Sequence, residues 1–295
     1  MKVLILSCST GGGHNAAGQA VLEELTRRGI PCELLDALRF AGKTVSRKIS
    51  GSYSFITTKA PGLFRMLYSA GRAISRSDHR SPVYLANRLY GPQLHAYIQS
   101  GGFDLVVTPH LFPAQTLTHL REKCGLSLPC VAIATDYTCI PFWEETALDS
   151  YIVPHPDVMG EFVEKGIPRE KLLPMGIPVR RAFRHPGERA AARRALGIQP
   201  DGPVYLLMSG SMGFGRLDAL TRALLSKTGD ETGIVLLCGN NLKARNRLAE
   251  QFAAYPNVSV RGFTKRPELY MDACDVLLQS PAGSPAPKPP SGAFR

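Results

Sequence analysis

The chain has one tryptophan in 295 residues, no C-x-x-C pair, and no apolar run long enough to cross a bilayer. It is also short of acid, with 24 Asp and Glu against 35 Lys and Arg, for a net charge of +11. Each shortage excludes something. The seven cysteines, at 8, 32, 124, 130, 139, 238 and 274, form an odd and scattered set. They indicate neither a disulfide framework nor a metal site, and a reducing cytosol is the expected setting. The apolar run in "MKVLILSCS" is too short for a signal-peptide core and leads straight into glycines. The basic excess points to anionic partners, whether nucleic acid, phosphorylated small molecules or acidic lipid surfaces, without choosing among them. At 44% apolar and 20% charged residues, the composition is that of a folded chain, long enough for two modest domains.

Short β-rich runs alternate with helical stretches. Candidate strands are Lys2–Ser7, Cys32–Asp36, Asp104–Thr108, Cys130–Ala134 and Ser150–Val153, followed by Val204–Ser209, Ile234–Cys238, Val258–Arg261 and Val276–Leu278. Their continuous apolar runs suit parallel strands buried on both faces, and the helices between them imply doubly wound α/β sheets. A proline- and glycine-flanked stretch, Gly176 to Gly202, carries six arginines and a short helix expected over Pro186–Leu196. It reads as an interdomain connection. The expected division is residues 1–178, a linker at 179–201, a partial second domain at 202–279 and a disordered tail at 280–295.

"ILSCSTGGGHNAAGQAVLEELTRRG" is a strand, three glycines and a helix expected from about His14 to Arg28. Glycines at such a turn let the backbone approach a ligand, and the helix start favours negative charge. The G-x-G-x-x-G spacing of a dinucleotide site is not met cleanly, although Asp36, ending the second strand, could bind a ribose. A histidine at this position could instead deprotonate a hydroxyl near neutral pH, with the helix dipole disfavouring its charged form. The alternative is a capping or packing histidine.

Between Lys43 and Arg80 stand eight Lys or Arg and one acid, Asp78, interleaved with Tyr53, Phe55, Phe64 and Tyr68. Leu63, Leu67, Ala70 and Ile74 share a helical face, with Arg65, Arg72 and Arg76 elsewhere. Such a helix could lie on an anionic membrane surface or be an ordinary core-facing helix with a solvated side. No nucleic-acid-binding signature accompanies it. Further on, "VAIATDYTCIPFWEE" places Asp136, Tyr137, Phe142 and Trp143 beyond a buried strand, where α/β ligand sites form; a purely structural Trp143 is equally compatible. "VYLLMSGSMGFGRLDAL" sets Gly210, Ser211, Gly213 and Gly215 between a strand and a helix. This is a second anion cradle, without the Lys-Ser/Thr of a P-loop.

In combination, "STGGGHNAAGQAV", "DLVVTPHLFPA", "ATDYTCIPFW", "YIVPH", "GIPV" and "GSMGFG" resemble the monogalactosyldiacylglycerol synthase and processive diacylglycerol glucosyltransferase family. The resemblance runs from Lys2 to about Leu278. It implies a GT-B fold, two Rossmann-like domains facing a cleft, and inverting transfer of a hexose from a UDP-sugar to diacylglycerol. No metal or other cofactor is expected, and the implied location is the cytoplasm, peripheral on the inner face of the cell membrane. It implies His14 as catalytic base and Asp136 as a supporting carboxylate. Gly11, Gly12, Gly13, Phe64, Arg65, Tyr68, Arg72 and Trp143 would face the acceptor and membrane. Gly210, Ser211, Gly213 and Phe263 would hold the donor. A non-catalytic lipid-binding protein of the membrane surface is the alternative reading.

After Leu278 the family continues with a motif resembling K-P-G-G-[LV]-[ST]-[ST]-x-E, which holds the nucleotide sugar. This chain has instead "QSPAGSPAPKPPSG", residues 279–292. One permitted set of codons for those residues reads K-P-G-G-L-S-S-T-E-A-A-V-R in a neighbouring frame. The expectation is an out-of-frame tail, a second domain left incomplete and an impaired donor site. Pro281, Pro285, Pro287, Pro289 and Pro290 could not form the helix that should follow the last strand.

Overall fold

The computed structural model describes residues 1–8, 12–42, 80–198, 201–208, 216–229 and 231–279. The chain divides into two compact units, Met1–Arg181 and Ala182–Arg295.

The first unit is built on a six-stranded parallel sheet in the order β2-β1-β3-β4-β5-β6. Its strands are β1 (Val3–Ser7), β2 (Cys32–Asp36), β3 (Leu105–Thr108), β4 (Cys130–Ile133), β5 (Ser150–Ile152) and β6 (Leu172–Leu173). Five of them lie within a residue of the expected runs at either end. The short edge strand β6 has too few residues to show a period. β1 is central and completely buried, so both its faces must be apolar. Val3 and Ile5 pack toward Val21, Leu22 and Leu25 of helix α1 (Gly12–Arg27). Leu4 and Leu6 point the other way, into the larger core shared with Leu94 and Ile98 of α2 (Gly91–Gly101) and with Leu117 and Leu120 of α3 (Leu111–Cys124). Period-two alternation along one buried strand thus feeds two helical layers.

Helix α1 begins two residues earlier than expected, taking Gly12 and Gly13 into its first turn, where their N–H groups need no intrahelical partner. Gly18 brings the helix against the sheet: a Cβ there would lie 3.1 Å from the Leu34 side chain. Asp36 accepts the Leu38 N–H at 2.9 Å and caps the short 3₁₀ turn Ala37–Ala41, a structural use of the carboxylate considered for a ribose. A buried polar knot lies on the α3 side. Glu145 takes the Ser81 hydroxyl at 2.7 Å and the Gln115 amide at 2.6 Å, and Gln115 in turn accepts from Asn87 at 2.7 Å.

The second unit carries a four-stranded parallel sheet in the order β10-β7-β8-β9. The strands are β7 (Val204–Met208), β8 (Gly233–Leu237), β9 (Val258–Arg261) and β10 (Val276–Gln279). Leu207, Ile234 and Leu236 pack with Leu248 and Phe252 on one face, while Val204, Leu206, Val235 and Leu237 form the other with Tyr270 and Met271. Helix α4 (Arg189–Leu196), within the stretch read as a connection, begins three residues later than expected. It is bound to the start of this sheet. Arg193 donates to the carbonyls of Ala273 and Gly202, at 3.0 and 3.1 Å, and to the Asp275 carboxylate at 2.6 Å. The edge strand β10 leaves Val276 and Leu277 more than a third exposed.

Candidate active site

In an open α/β sheet, ligands bind beyond the carboxyl ends of the strands, where the strand order reverses. In the first unit that point falls at β1, which has β2 on one side and β3 on the other. β4 follows beside β3, so three strands end on one edge. The chain emerging there supplies Gly12, Gly13 and His14 after β1, Pro109 and His110 after β3, and Thr135 and Asp136 after β4.

His14 is the centre of this group. Its Nδ1 lies 2.9 Å from the Pro109 carbonyl oxygen and 2.8 Å from the Thr135 hydroxyl. A carbonyl only accepts, so the hydrogen bond places the proton on Nδ1 and leaves the lone pair of the neutral ring on Nε2. Burial pushes the His14 pKa below the usual histidine value. The Asp136 charge and the Pro109 carbonyl act against that shift without cancelling it. The same burial raises the Asp136 carboxyl above its ordinary range, with His14 opposing. Histidine is thus kept neutral, beside a carboxylate able to stabilise it once it takes a proton. Gly13 is exposed, and a Cβ added to it would meet nothing within 4 Å, so no packing inside the unit demands a glycine there.

The turn after β3 is pinned by the buried Thr108, whose hydroxyl donates to the Leu6 carbonyl at 2.8 Å and accepts the His110 N–H at 3.2 Å. His110, Pro109 and Thr135 were not singled out from the sequence. The available signal was position, since each stands one to two residues beyond a buried strand.

Trp143 requires a correction. Expected on the acceptor and membrane side, it is 3% exposed and packs edge-on to Tyr151 at 6.2 Å, with Phe162 at 6.5 Å. The chain reaches it through Phe142, at φ 77°, and turns the indole into the core, where its large apolar area is worth most. Tyr137 is the exposed aromatic of that stretch, at 70%. In the second unit Phe263, 55% exposed, follows the carboxyl end of β9. Gly11, Phe64, Arg65, Tyr68, Arg72, Gly210, Ser211 and Gly213 lie outside the described residues. Among the described residues, no helix is long and apolar enough to cross a membrane, and no group of three or more His, Cys, Asp or Glu could hold a metal ion.

Two α/β units in tandem, each on a parallel sheet, are those of the GT-B fold, and solved structures share it. MurG of Acinetobacter baumannii aligns with a TM-score of 0.52 at 14% identity, covering 94% of this chain and 72% of that one. Anabaena HepE, solved with UDP and glucose, aligns at 0.51 and 13% identity, covering 94% and 73%. At such identities the likeness defines the fold alone. The family is defined by sequence: the profile of monogalactosyldiacylglycerol (MGDG) synthase matches residues 14–179, more than half of the chain, and the chain belongs to that family. A probable monogalactosyldiacylglycerol synthase of Glycine max is 31% identical over 293 residues, 94% of this chain and 54% of that protein. A processive diacylglycerol β-glucosyltransferase of Staphylococcus haemolyticus is 25% identical over 286 residues, 96% of this chain and 71% of that protein. The chain thus spans about half the length of the soybean relative.

Proposed function

We propose that the protein is a glycosyltransferase of glycolipid synthesis, moving a hexose from a UDP-sugar to the free hydroxyl of diacylglycerol with inversion. The observation that carries this reading is His14, held at the switch point with Nδ1 on the Pro109 carbonyl and Nε2 left as a base. Nε2 takes the hydroxyl proton as the acceptor oxygen attacks the anomeric carbon. The bond from that carbon to the UDP oxygen breaks, and UDP leaves with the electron pair. Asp136 offsets the imidazolium charge so formed. Gly210, Ser211 and Gly213 receive the departing phosphate charge, and Phe263 offers an aromatic face to the base. No metal is assigned to any step. The basic stretch 43–80 and the net charge of +11 suit docking on the anionic inner face of the cell membrane. With residues 279–292 standing where the family motif belongs, donor binding is impaired in this chain.

The test is transfer of labelled hexose from UDP-galactose or UDP-glucose to diacylglycerol in anionic vesicles, by this chain and by the frame restored at codon 279. His14→Gln should lower turnover by about 10²–10⁴-fold. Vesicle binding without sugar transfer by either form would favour the alternative, a lipid-binding protein without catalysis.

A further inference from the structure

His110 stands directly before α3 and is 5% exposed. Its ring meets His14 edge-on, with centroids 4.4 Å apart and planes at 64°, and meets Phe112 at 4.7 Å. Its Nδ1 accepts the Phe112 backbone N–H at 3.0 Å, which caps α3. An accepting Nδ1 carries a lone pair, so the neutral ring bears its proton on Nε2. A second proton would have to enter at Nδ1, facing an N–H donor, and would abolish the cap. Two imidazolium rings at this separation would also repel each other. His110 is therefore kept neutral by its own hydrogen bond, in a buried position.

We infer that His110 is a positioning residue for the base: an uncharged wall, fixed by its cap on α3, that keeps the His14 ring on the Pro109 carbonyl with the Nε2 lone pair left for proton transfer. This rests on the reading of His14 as the base. Among the described residues, Asp136 and His110 are the titratable groups that act on His14. Asp136 approaches from the chain after β4, and His110 from the chain after β3. On α1 itself the neighbouring Asn15 is occupied by the Ser7 hydroxyl at 2.6 Å. The proton taken from the acceptor thus resides on His14 and is not shared with the second ring. Burial, and after it the nearness of His14, push the His110 pKa well below the ordinary value, in keeping with that assignment.

The experiment is ¹⁵N NMR of the full chain with labelled histidine, titrated between about pH 4 and 8, a range chosen to bracket the ordinary histidine value. The expected result is a His14 neutral form protonated at Nδ1, titrating below the ordinary value, and a His110 protonated at Nε2 throughout. His110→Asn keeps a short acceptor for the Phe112 N–H but removes the wall. It should move the His14 titration up toward the ordinary value and lower kcat on the order of tenfold to a hundredfold, with KM little changed. His110→Phe keeps the ring and loses the acceptor, so it should leave the His14 titration near that of the parent. A parent His14 protonated at Nε2, or an unchanged His14 titration in a folded His110→Asn, would overturn the inference. The NMR readout needs no turnover, which separates the two ideas. Full activity in His14→Gln removes the base, whereas an unmoved His14 titration in folded His110→Asn removes only the positioning role of His110.

Discussion

Replacing Asp275 by alanine should selectively destabilise the second unit. Its carboxylate accepts Arg193 Nη2 and Arg189 Nη1, both at 2.6 Å, and the Val204 N–H at 2.8 Å. It thereby joins α4, the start of β7 and the start of β10. The Arg193 side chain is 7% exposed, while those of Asp275 and Arg189 are 27% and 59% exposed. Removing one member of a buried pair leaves an uncompensated charge and costs about 3–5 kcal/mol; the partial exposure of Asp275 sets the expectation at about 3. Arg189→Ala removes only a solvated arm and should cost under about 1 kcal/mol. Arg193→Met lies between them. It loses its bonds to Asp275 and to the two carbonyls but leaves Asp275 with Arg189 and Val204. Urea unfolding of the whole chain can be followed by two probes. Trp143, the single tryptophan, reports the first unit by fluorescence, and amide exchange in β7 and β8 reports the second. The exchange-detected stability should fall in the order Arg189→Ala, Arg193→Met, Asp275→Ala, with the fluorescence transition unmoved. An Asp275→Ala variant no less stable than Arg189→Ala would refute the assignment of Asp275 as the joint.

Three further outcomes are expected. Trp143→Ala should cost about 3–5 kcal/mol in the fluorescence-independent stability of the first unit, while Trp143→Phe should leave vesicle binding intact, since the indole lies in the core. Both His14 and His110 have folded pKa values depressed by burial. Below the unfolded value near pH 6.5 the unfolded chain therefore binds more protons than the native one, and stability falls with falling pH by at most about 1.4 kcal/mol per unit for each histidine. Denaturation midpoints measured at pH 7 and 5.5 should show this decline, and His110→Phe should reduce it. DNA reads from independent clones across codons 275–295 should contain K-P-G-G-L-S-S-T-E-A-A-V in a neighbouring frame; bases that cannot encode it in any frame would remove the frameshift reading.

The parallel strands were legible because burial on both faces forces continuous apolar runs, as in "VLILS" and "VYLLM", which no solvent-facing element tolerates. His14 was legible because three glycines before a helix have few other uses. What escaped was whatever depends on partners distant in sequence. Trp143 read as a ligand-facing aromatic because it follows the carboxyl end of a buried strand, but its direction is set by one left-handed residue and a pocket formed by Tyr151 and Phe162. Arg193 read as one of six arginines in a linker, and only the meeting of α4 with β7 and β10 makes it a buried joint. By itself, then, the sequence determined the two α/β units, the family and the histidine at the first glycine turn, since each is written in contiguous residues. The tertiary structure alone decided the proton position on that histidine. The carbonyl of Pro109, the hydroxyl of Thr135 and the ring of His110 come from strands more than ninety residues away, and only the parallel sheet brings their ends together.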